Sequence, residues 1–164
     1  MKTPNLEYLR STIFGVEDSL VSTTGLIAGL SVGSDNKDIV LLGGIVAIVI
    51  EAVSMGAGEY LSDDAVQELD KLKRHRDKPL VSGSLMFSSY LLAGAIPLSP
   101  VIFFEYPTSL FLTILLALSG LFLLGYLKGR LLHSHPWRSG TKIFVVGGLA
   151  ALIGLVVGLI FRVH

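Results

Sequence analysis

The chain has 164 residues, of which 51% are hydrophobic and 16% are charged, and it contains no cysteine. This composition excludes a disordered chain, a disulfide scaffold, a thiolate metal site and cysteine-based catalysis. The 13 basic residues equal the 13 acidic residues in number, so nucleic acid is not an expected partner. A soluble domain usually carries about 25% charged residues, and we therefore expect a small integral membrane protein in the lipid bilayer.

Five segments are long and apolar enough to cross a bilayer, which takes about 20 residues of helix. Pro97 and Pro100 are expected to end the third of them early, because proline disrupts a helix interior. Residues 62–79 are expected to form a short cytoplasmic helical extension and a loop. The prediction is an all-α, polytopic membrane protein whose residues 1–164 form a single transmembrane domain. Its five transmembrane helices are predicted over residues 12–32, 39–61, 80–98, 109–126 and 143–161.

The basic residues are distributed unevenly between the two sides of these spans. Eleven Lys and Arg residues fall in the N-terminal tail and in the second-to-third and fourth-to-fifth connections. Only Lys37 and Arg162 fall on the opposite side. The positive-inside rule then predicts a cytoplasmic N-terminus and a C-terminus outside. The small size and the absence of a targeting tail favour the inner membrane of a prokaryotic cell.

Glycines repeat at helical spacing in the first and fifth spans. Gly25, Gly29 and Gly33 stand four residues apart, as do Gly154 and Gly158. Small residues at this spacing allow helices in lipid to approach closely, so we expect packing seams here. A hinge or an unwound stretch is the alternative.

Several aromatic residues are predicted near the ends of spans. Trp137, Tyr90, Tyr106 and Tyr126 lie mostly close to the predicted boundaries. This position is typical of aromatic anchors at the membrane interface, and we expect that role for them rather than a ligand cage.

Four acidic residues fall within the predicted spans, where each charged side chain costs at least about 2.5 kcal/mol, and three of them stand out. Asp18 lies about two turns into the first span, Glu51 lies near the middle of the second, and Glu59 lies nearer its cytoplasmic end. No Lys or Arg is predicted at the same depth to neutralise them. An acid without a basic partner in lipid needs either a proton or a cation.

The spacing of these acids suggests a cation. Glu51, Met55 and Glu59 are four residues apart and therefore form one stripe on the second helix. Asp18 of the antiparallel first helix is expected at the level of Met55. Carboxylates together with a thioether suit a borderline transition metal such as Fe²⁺. Ordinary packing of Met55, and a Glu59 that reaches the lipid headgroups, remain open as alternatives.

Two segments resemble the vacuolar iron transporter family. Residues 10–22 (RSTIFGVEDSLVS) are similar to its first helix, and residues 51–62 (EAVSMGAGEYLS) are similar to its second. Three shorter stretches fit as well: KP at 78–79, AIPL at 95–98 and GGLAA at 147–151. The resemblance covers nearly the whole chain, and the second-helix motif is the specific part of it.

The resemblance implies a five-helix fold, a cytoplasmic N-terminus and a homodimer whose ion path runs between the subunits. It implies export of Fe²⁺, and often Mn²⁺, from the cytoplasm in exchange for protons. The metal is then transported, and no permanently bound cofactor is expected. Asp18 matches the pathway aspartate of the family and Met55 matches the pathway methionine. Glu59 is a third candidate for metal binding, and Glu51 is a fourth.

This chain departs from the family in the connection between its second and third spans. Many members carry there a long cytoplasmic metal-binding domain, whereas residues 62–79 are too few to form one. Asp63, Asp64 and Glu68 could serve as a metal-collecting entrance or could be a solvated surface. A second departure is Ser19, where glycine usually follows the aspartate.

The histidines do not indicate a catalytic centre. His133 and His135 form a His-x-His pattern in the fourth-to-fifth connection, where a plain basic loop is the alternative to a metal site. All four histidines lie outside the predicted spans, so an enzyme is not expected. The sequence thus predicts a proton-coupled exporter of Fe²⁺ or Mn²⁺. The alternative is a structural or assembly protein whose acids pair within the membrane without transport.

Overall fold

The computed structural model describes residues 6–34, 36–69 and 78–162, and within them it contains helices and no strand. All five helices are long and apolar enough to cross a membrane, which confirms the predicted all-α, five-span fold of an integral multi-pass membrane protein. The helices are α1 (Leu6–Ser34), α2 (Lys37–Leu69), α3 (Pro79–Phe103), α4 (Thr108–Leu131) and α5 (Pro136–Ile160).

The helices extend beyond several predicted ends of the spans. α2 continues to Leu69, so the first part of the predicted extension is helical. Residues 70–77, which hold most of the predicted loop, lie outside the described residues. α1 begins at Leu6 rather than at residue 12, and this places the side chains of its first two turns alongside α2.

α3 contains both prolines in its interior, so the expectation that they end the third span is wrong. The helix continues to Phe103. Pro100 has no N–H for the carbonyl oxygen of Ile96, but the Ser99 hydroxyl donates to that oxygen at 2.8 Å. This local bond satisfies one of the carbonyls that proline leaves free, which is how helices in a membrane tolerate proline.

α1 is the central helix of the bundle. It packs against each of the other four helices, while α2 packs on α3, α3 on α4, and α4 on α5. Among the described residues α2 and α5 do not contact each other, so the ring of helices around α1 is open between them. A cleft of about 440 Å³ lies on this open side, lined by Gly25, Gly29, Ile39, Gly154 and Phe161 among others.

The predicted glycine seam joins α1 to α5. A Cβ atom placed on Gly29 would stand 2.9 Å from the carbonyl oxygen of Gly154, and one on Gly25 would stand 3.0 Å from that of Ala150. The two backbones therefore meet without intervening side chains. This confirms the packing seam that the glycine spacing predicts.

Buried apolar side chains form two small clusters rather than one large core. Leu20, Leu121 and Ile143 are buried together where α1, α4 and α5 meet. Many large apolar side chains face outward instead, as expected for helices surrounded by lipid rather than water.

Candidate functional site

Two hydrogen bonds between α1 and α2 determine how the acidic stripe faces α1. The Ser22 hydroxyl donates to Glu51 Oε2 at 3.1 Å, and the Ser11 hydroxyl donates to Glu59 Oε1 at 2.5 Å. The two helices are antiparallel, so these contacts bracket the segment that contains Asp18 on α1 and Met55 on α2. The structure therefore brings the two residues to neighbouring levels between the same pair of helices.

Glu51 lies where α1, α2 and α3 meet. The hydroxyl of Tyr90 on α3 donates to Glu51 Oε2, the oxygen that also accepts from Ser22. The Ser22 and Tyr90 hydroxyl oxygens are themselves 2.6 Å apart. Three oxygens from three helices thus form a triangle inside the membrane-spanning region.

Tyr90 does not lie at the membrane interface, so the role predicted for it is wrong. It is 0% exposed, so it is no anchor at the membrane interface. Its ring points into the bundle because α3 presents this face to α1, and the Ser19 hydroxyl donates to its backbone carbonyl oxygen at 2.7 Å. Its position near the middle of α3, opposite acids on a neighbouring helix, is the signal that could have identified it.

Each edge of this triangle is a pair of oxygens that one proton could join in a hydrogen bond. When Glu51 is ionised, only the two hydroxyl protons are present for the three pairs. Two hydroxyl protons can make two hydrogen bonds, which leaves one pair of oxygens in contact without a proton between them. A third proton, on the Glu51 carboxyl group, would allow all three edges to be hydrogen bonds. A cation at the carboxylate would compensate its charge instead.

Asp18 is a half-buried acid without a compensating partner among the described residues. Its carboxylate makes no hydrogen bond or ion pair with any residue that the structure describes. The charged groups that act on it are the acids Glu51 and Glu17. Glu51 likewise has no basic partner in the described part of the chain. Neither acid therefore has a basic partner among the described residues, where the sequence also predicts none.

The same expectation is wrong for Glu59. Arg10 Nη2 lies 3.3 Å from Glu59 Oε1, and the Glu59 side chain is 11% exposed against 69% for Arg10. Arg10 reaches Glu59 because α1 begins well before the predicted start of the first span. A second ion pair nearby joins Lys128 of α4 to Glu17 at 3.7 Å.

These two ion pairs line a cavity of about 540 Å³ between α1, α2 and α4. Its remaining walls are mostly apolar, so the four charged side chains are its polar features. The lining residues are Leu6, Leu9, Arg10, Ile13, Phe14, Glu17, Glu59, Lys128 and Leu132. The cavity lies at the end of the bundle that carries the start of α1, below the level of Asp18.

The three entrance candidates differ in their surroundings. Asp63 continues the stripe one turn beyond Glu59, and its Oδ2 atom is buried without a hydrogen-bond partner in the described regions. Asp64 is half-buried, whereas Glu68 is exposed. The His-x-His pair is also exposed.

The described residues of one copy of the chain do not gather a cluster of three acidic or histidine ligands. Within the described ranges, no three His, Cys, Asp or Glu side chains are gathered closely enough to hold a metal ion. Asp18, Glu51 and Met55 offer two carboxylates and a thioether. Water or groups from another chain could supply further ligands for a bound ion.

The sequence of this chain is similar to those of several plant proteins over most of its length. "Vacuolar iron transporter 1" of Tulipa gesneriana is 25% identical over 206 aligned positions, covering 88% of this chain and 83% of the relative. "Vacuolar iron transporter homolog 2" of Oryza sativa subsp. japonica is 26% identical over 165 positions, covering 90% and 87%. "Vacuolar iron transporter homolog 1" of Arabidopsis thaliana is 21% identical over 159 positions, covering 90% and 80%.

The alignment lengths bear on the short connection between α2 and α3. The tulip alignment is longer than this entire chain, so that relative carries additional residues within the matched region. The rice alignment has nearly the length of this chain.

A model of the VIT family matches residues 9–78 and 64–159, which include both acid-bearing helices. This chain therefore belongs to the VIT family.

Proposed function

We propose that this protein transports divalent transition-metal ions, Fe²⁺ and also Mn²⁺, out of the cytoplasm in exchange for protons. The observation that carries the proposal is Asp18, a half-buried carboxylate in a membrane-spanning helix with no partner among the described residues. Such a group is costly in lipid and persists where it serves an ion or proton path. Family membership and relatives named as iron transporters support metal-ion transport.

Met55 and Glu51 are the other ligands that we propose at this level. Met55 lies one turn from Glu51, between the two hydrogen bonds that join α1 and α2. Its thioether adds little for Na⁺, Mg²⁺ or Ca²⁺ but suits a softer ion. Glu59 is proposed as a further ligand nearer the cytoplasm, where Arg10 serves as its counter-cation while no metal is bound.

Proton exchange is supported by the triangle of Glu51, Tyr90 and Ser22. The three oxygens make a complete set of hydrogen bonds only with a proton on Glu51, and a metal ion at the other carboxylate oxygen compensates the charge once that proton leaves. Release of one then accompanies binding of the other. This competition is the minimal requirement for an antiporter, because it prevents both from crossing together.

We further propose that the transporter is a homodimer with its path along the open side of α1. Two observations support this assembly. The ring of helices is open between α2 and α5, and the described residues of one chain do not bring three acidic ligands close enough together to hold an ion. The distribution of basic residues supports a cytoplasmic N-terminus and an outer C-terminus. Asp63, Asp64 and Glu68 remain candidates for an entrance at the cytoplasmic end of α2.

A structural or assembly protein is the second candidate function. It is favoured by the ion pairs of Glu59 with Arg10 and of Glu17 with Lys128, which show acids stabilised within the chain. It does not account for Asp18, which has no such partner in the described part of the molecule.

The two candidates are separated by flux through proteoliposomes that contain the purified protein. We expect Fe²⁺ and Mn²⁺ flux that rises with an opposing pH gradient. Asp18→Asn and Met55→Leu should each reduce flux more than tenfold while the protein still elutes as a folded species. The control Asp38→Asn changes an exposed acid and should behave as wild type.

Three results would contradict the proposal. Wild-type flux from Asp18→Asn would remove the proposed pathway. Flux indifferent to the pH gradient would remove the exchange with protons. Loss of assembly in both site variants, without any metal flux in the wild type, would favour the structural role instead.

A further inference from the structure

We propose that Tyr90 and Ser22 are positioning residues that hold Glu51 in a one-oxygen binding mode and thereby favour transition metals over Ca²⁺. This inference rests on the proposed function, because it assigns part of the metal selectivity to two residues that do not themselves bind the metal.

The two oxygens of Glu51 have different surroundings. Oε2 accepts from the hydroxyls of both Tyr90 and Ser22. Oε1 makes no hydrogen bond with any described residue and is the oxygen left for a cation. A metal ion that approaches Glu51 therefore meets one free oxygen rather than a symmetric pair.

The two hydroxyls are held rigidly enough to maintain this asymmetry. Tyr90 is fully buried, so its ring is enclosed by other side chains of the bundle. Its backbone carbonyl oxygen accepts from Ser19, on the same helix as Ser22. The donors of α1 and α3 are thus positioned relative to each other before any ion arrives, which is what a selective site requires.

The one-oxygen mode disfavours Ca²⁺ more than Fe²⁺. Ca²⁺ collects six to eight oxygen ligands and commonly takes both oxygens of a carboxylate. Fe²⁺ is smaller and can use the nearby Met55 thioether, so it loses less when one carboxylate oxygen is withheld. Removal of the hydroxyls would free Oε2 and allow Glu51 to bind through both oxygens.

The test measures selectivity rather than the amount of transport. Fe²⁺ uptake into anoxic proteoliposomes is followed with increasing Ca²⁺, which gives the Ca²⁺ inhibition constant and the KM for Fe²⁺. In Tyr90→Phe we expect the ratio of inhibition constant to KM to fall about tenfold, the size expected for one hydrogen bond to a charged group. Ser22→Ala should shift the ratio in the same direction by a smaller factor.

The matched control is Thr113→Val, which also removes a buried hydroxyl and a bond between helices. Thr113 donates to the carbonyl oxygen of Pro97 at 2.8 Å, away from Glu51. In Thr113→Val the ratio of the Ca²⁺ inhibition constant to the KM for Fe²⁺ should stay at the wild-type value, even when the Vmax falls. Should Tyr90→Phe fail to fold, the ratio in Ser22→Ala decides the question.

Two outcomes would overturn the inference. An unchanged ratio in the folded Tyr90 or Ser22 variants, with Fe²⁺ transport retained, overturns it and leaves the proposed function standing. An equal shift in Thr113→Val overturns it as well, because the effect would then reflect helix packing in general. Absence of Fe²⁺ flux in the wild type is a different result, since it overturns the proposed function itself.

Discussion

The contact between α1 and α5 predicts the effect of adding a single methyl group. A Cβ atom on Gly29 would stand 2.9 Å from the carbonyl oxygen of Gly154, whereas ordinary van der Waals contact begins at 3.4 Å. The opposing atom belongs to the backbone, so no change of rotamer can relieve the overlap. The helices must separate by about half an ångström, and overpacking of this kind typically costs about 1–3 kcal/mol.

The higher helix propensity of alanine offsets part of this cost. The obstructing atom is backbone, so we expect a cost in the upper half of this range, about 2–3 kcal/mol. Alanine is favoured over glycine in a helix by about 1 kcal/mol, so the net loss expected for Gly29→Ala is about 1–2 kcal/mol. For a chain of this size each kcal/mol shifts the melting temperature by roughly 2–4 °C. We therefore expect the melting temperature of the purified Gly29→Ala protein in detergent to be about 2–8 °C lower than that of wild type.

The matched control is Gly148→Ala on α5. A Cβ atom there would have no neighbour within 4 Å, so only the helix-propensity gain applies. This variant should be as stable as wild type or slightly more stable. A Gly29→Ala protein with the wild-type melting temperature would show that the seam can open without cost. Equal losses in both variants would show that glycine in these helices is needed for a reason other than close packing.

Two further variants test the site and the core. Arg10→Ala should lower the KM for Fe²⁺ by up to about fivefold, because it removes an exposed counter-cation of Glu59 worth at most about 1 kcal/mol. Lys37→Ala breaks an ion pair outside the site and should leave that KM unchanged, and an equal effect of the two would contradict the role given to Arg10. Leu121→Ala should cost about 2–5 kcal/mol in unfolding free energy because the side chain is 0% exposed and leaves a cavity. Leu123→Ala, at a position that is 56% exposed, should change the stability far less, and similar losses at both positions would contradict the assignment of the buried cluster.

The sequence by itself determined the helices and the seam. Hydropathy over about 20 residues is a property of one segment, and it predicted five spans without reference to the rest of the chain. Glycine spacing is also a property of one helix, and it predicted a packing face on α1 and another on α5, which the structure joins. The stripe of Glu51, Met55 and Glu59 could be placed on one side of α2 for the same reason.

The tertiary structure decided which of these polar groups have partners. Tyr90 and Ser22 look like ordinary hydroxyl residues of their own helices, and only the packing of α1, α2 and α3 brings them to Glu51. The pairing of Glu59 with Arg10 depends on where α1 begins beside α2. Hydropathy and spacing describe how each helix is oriented about its own axis. The meeting of side chains from different helices depends on how those helices cross, and this is set by many weak packing contacts that no single segment contains.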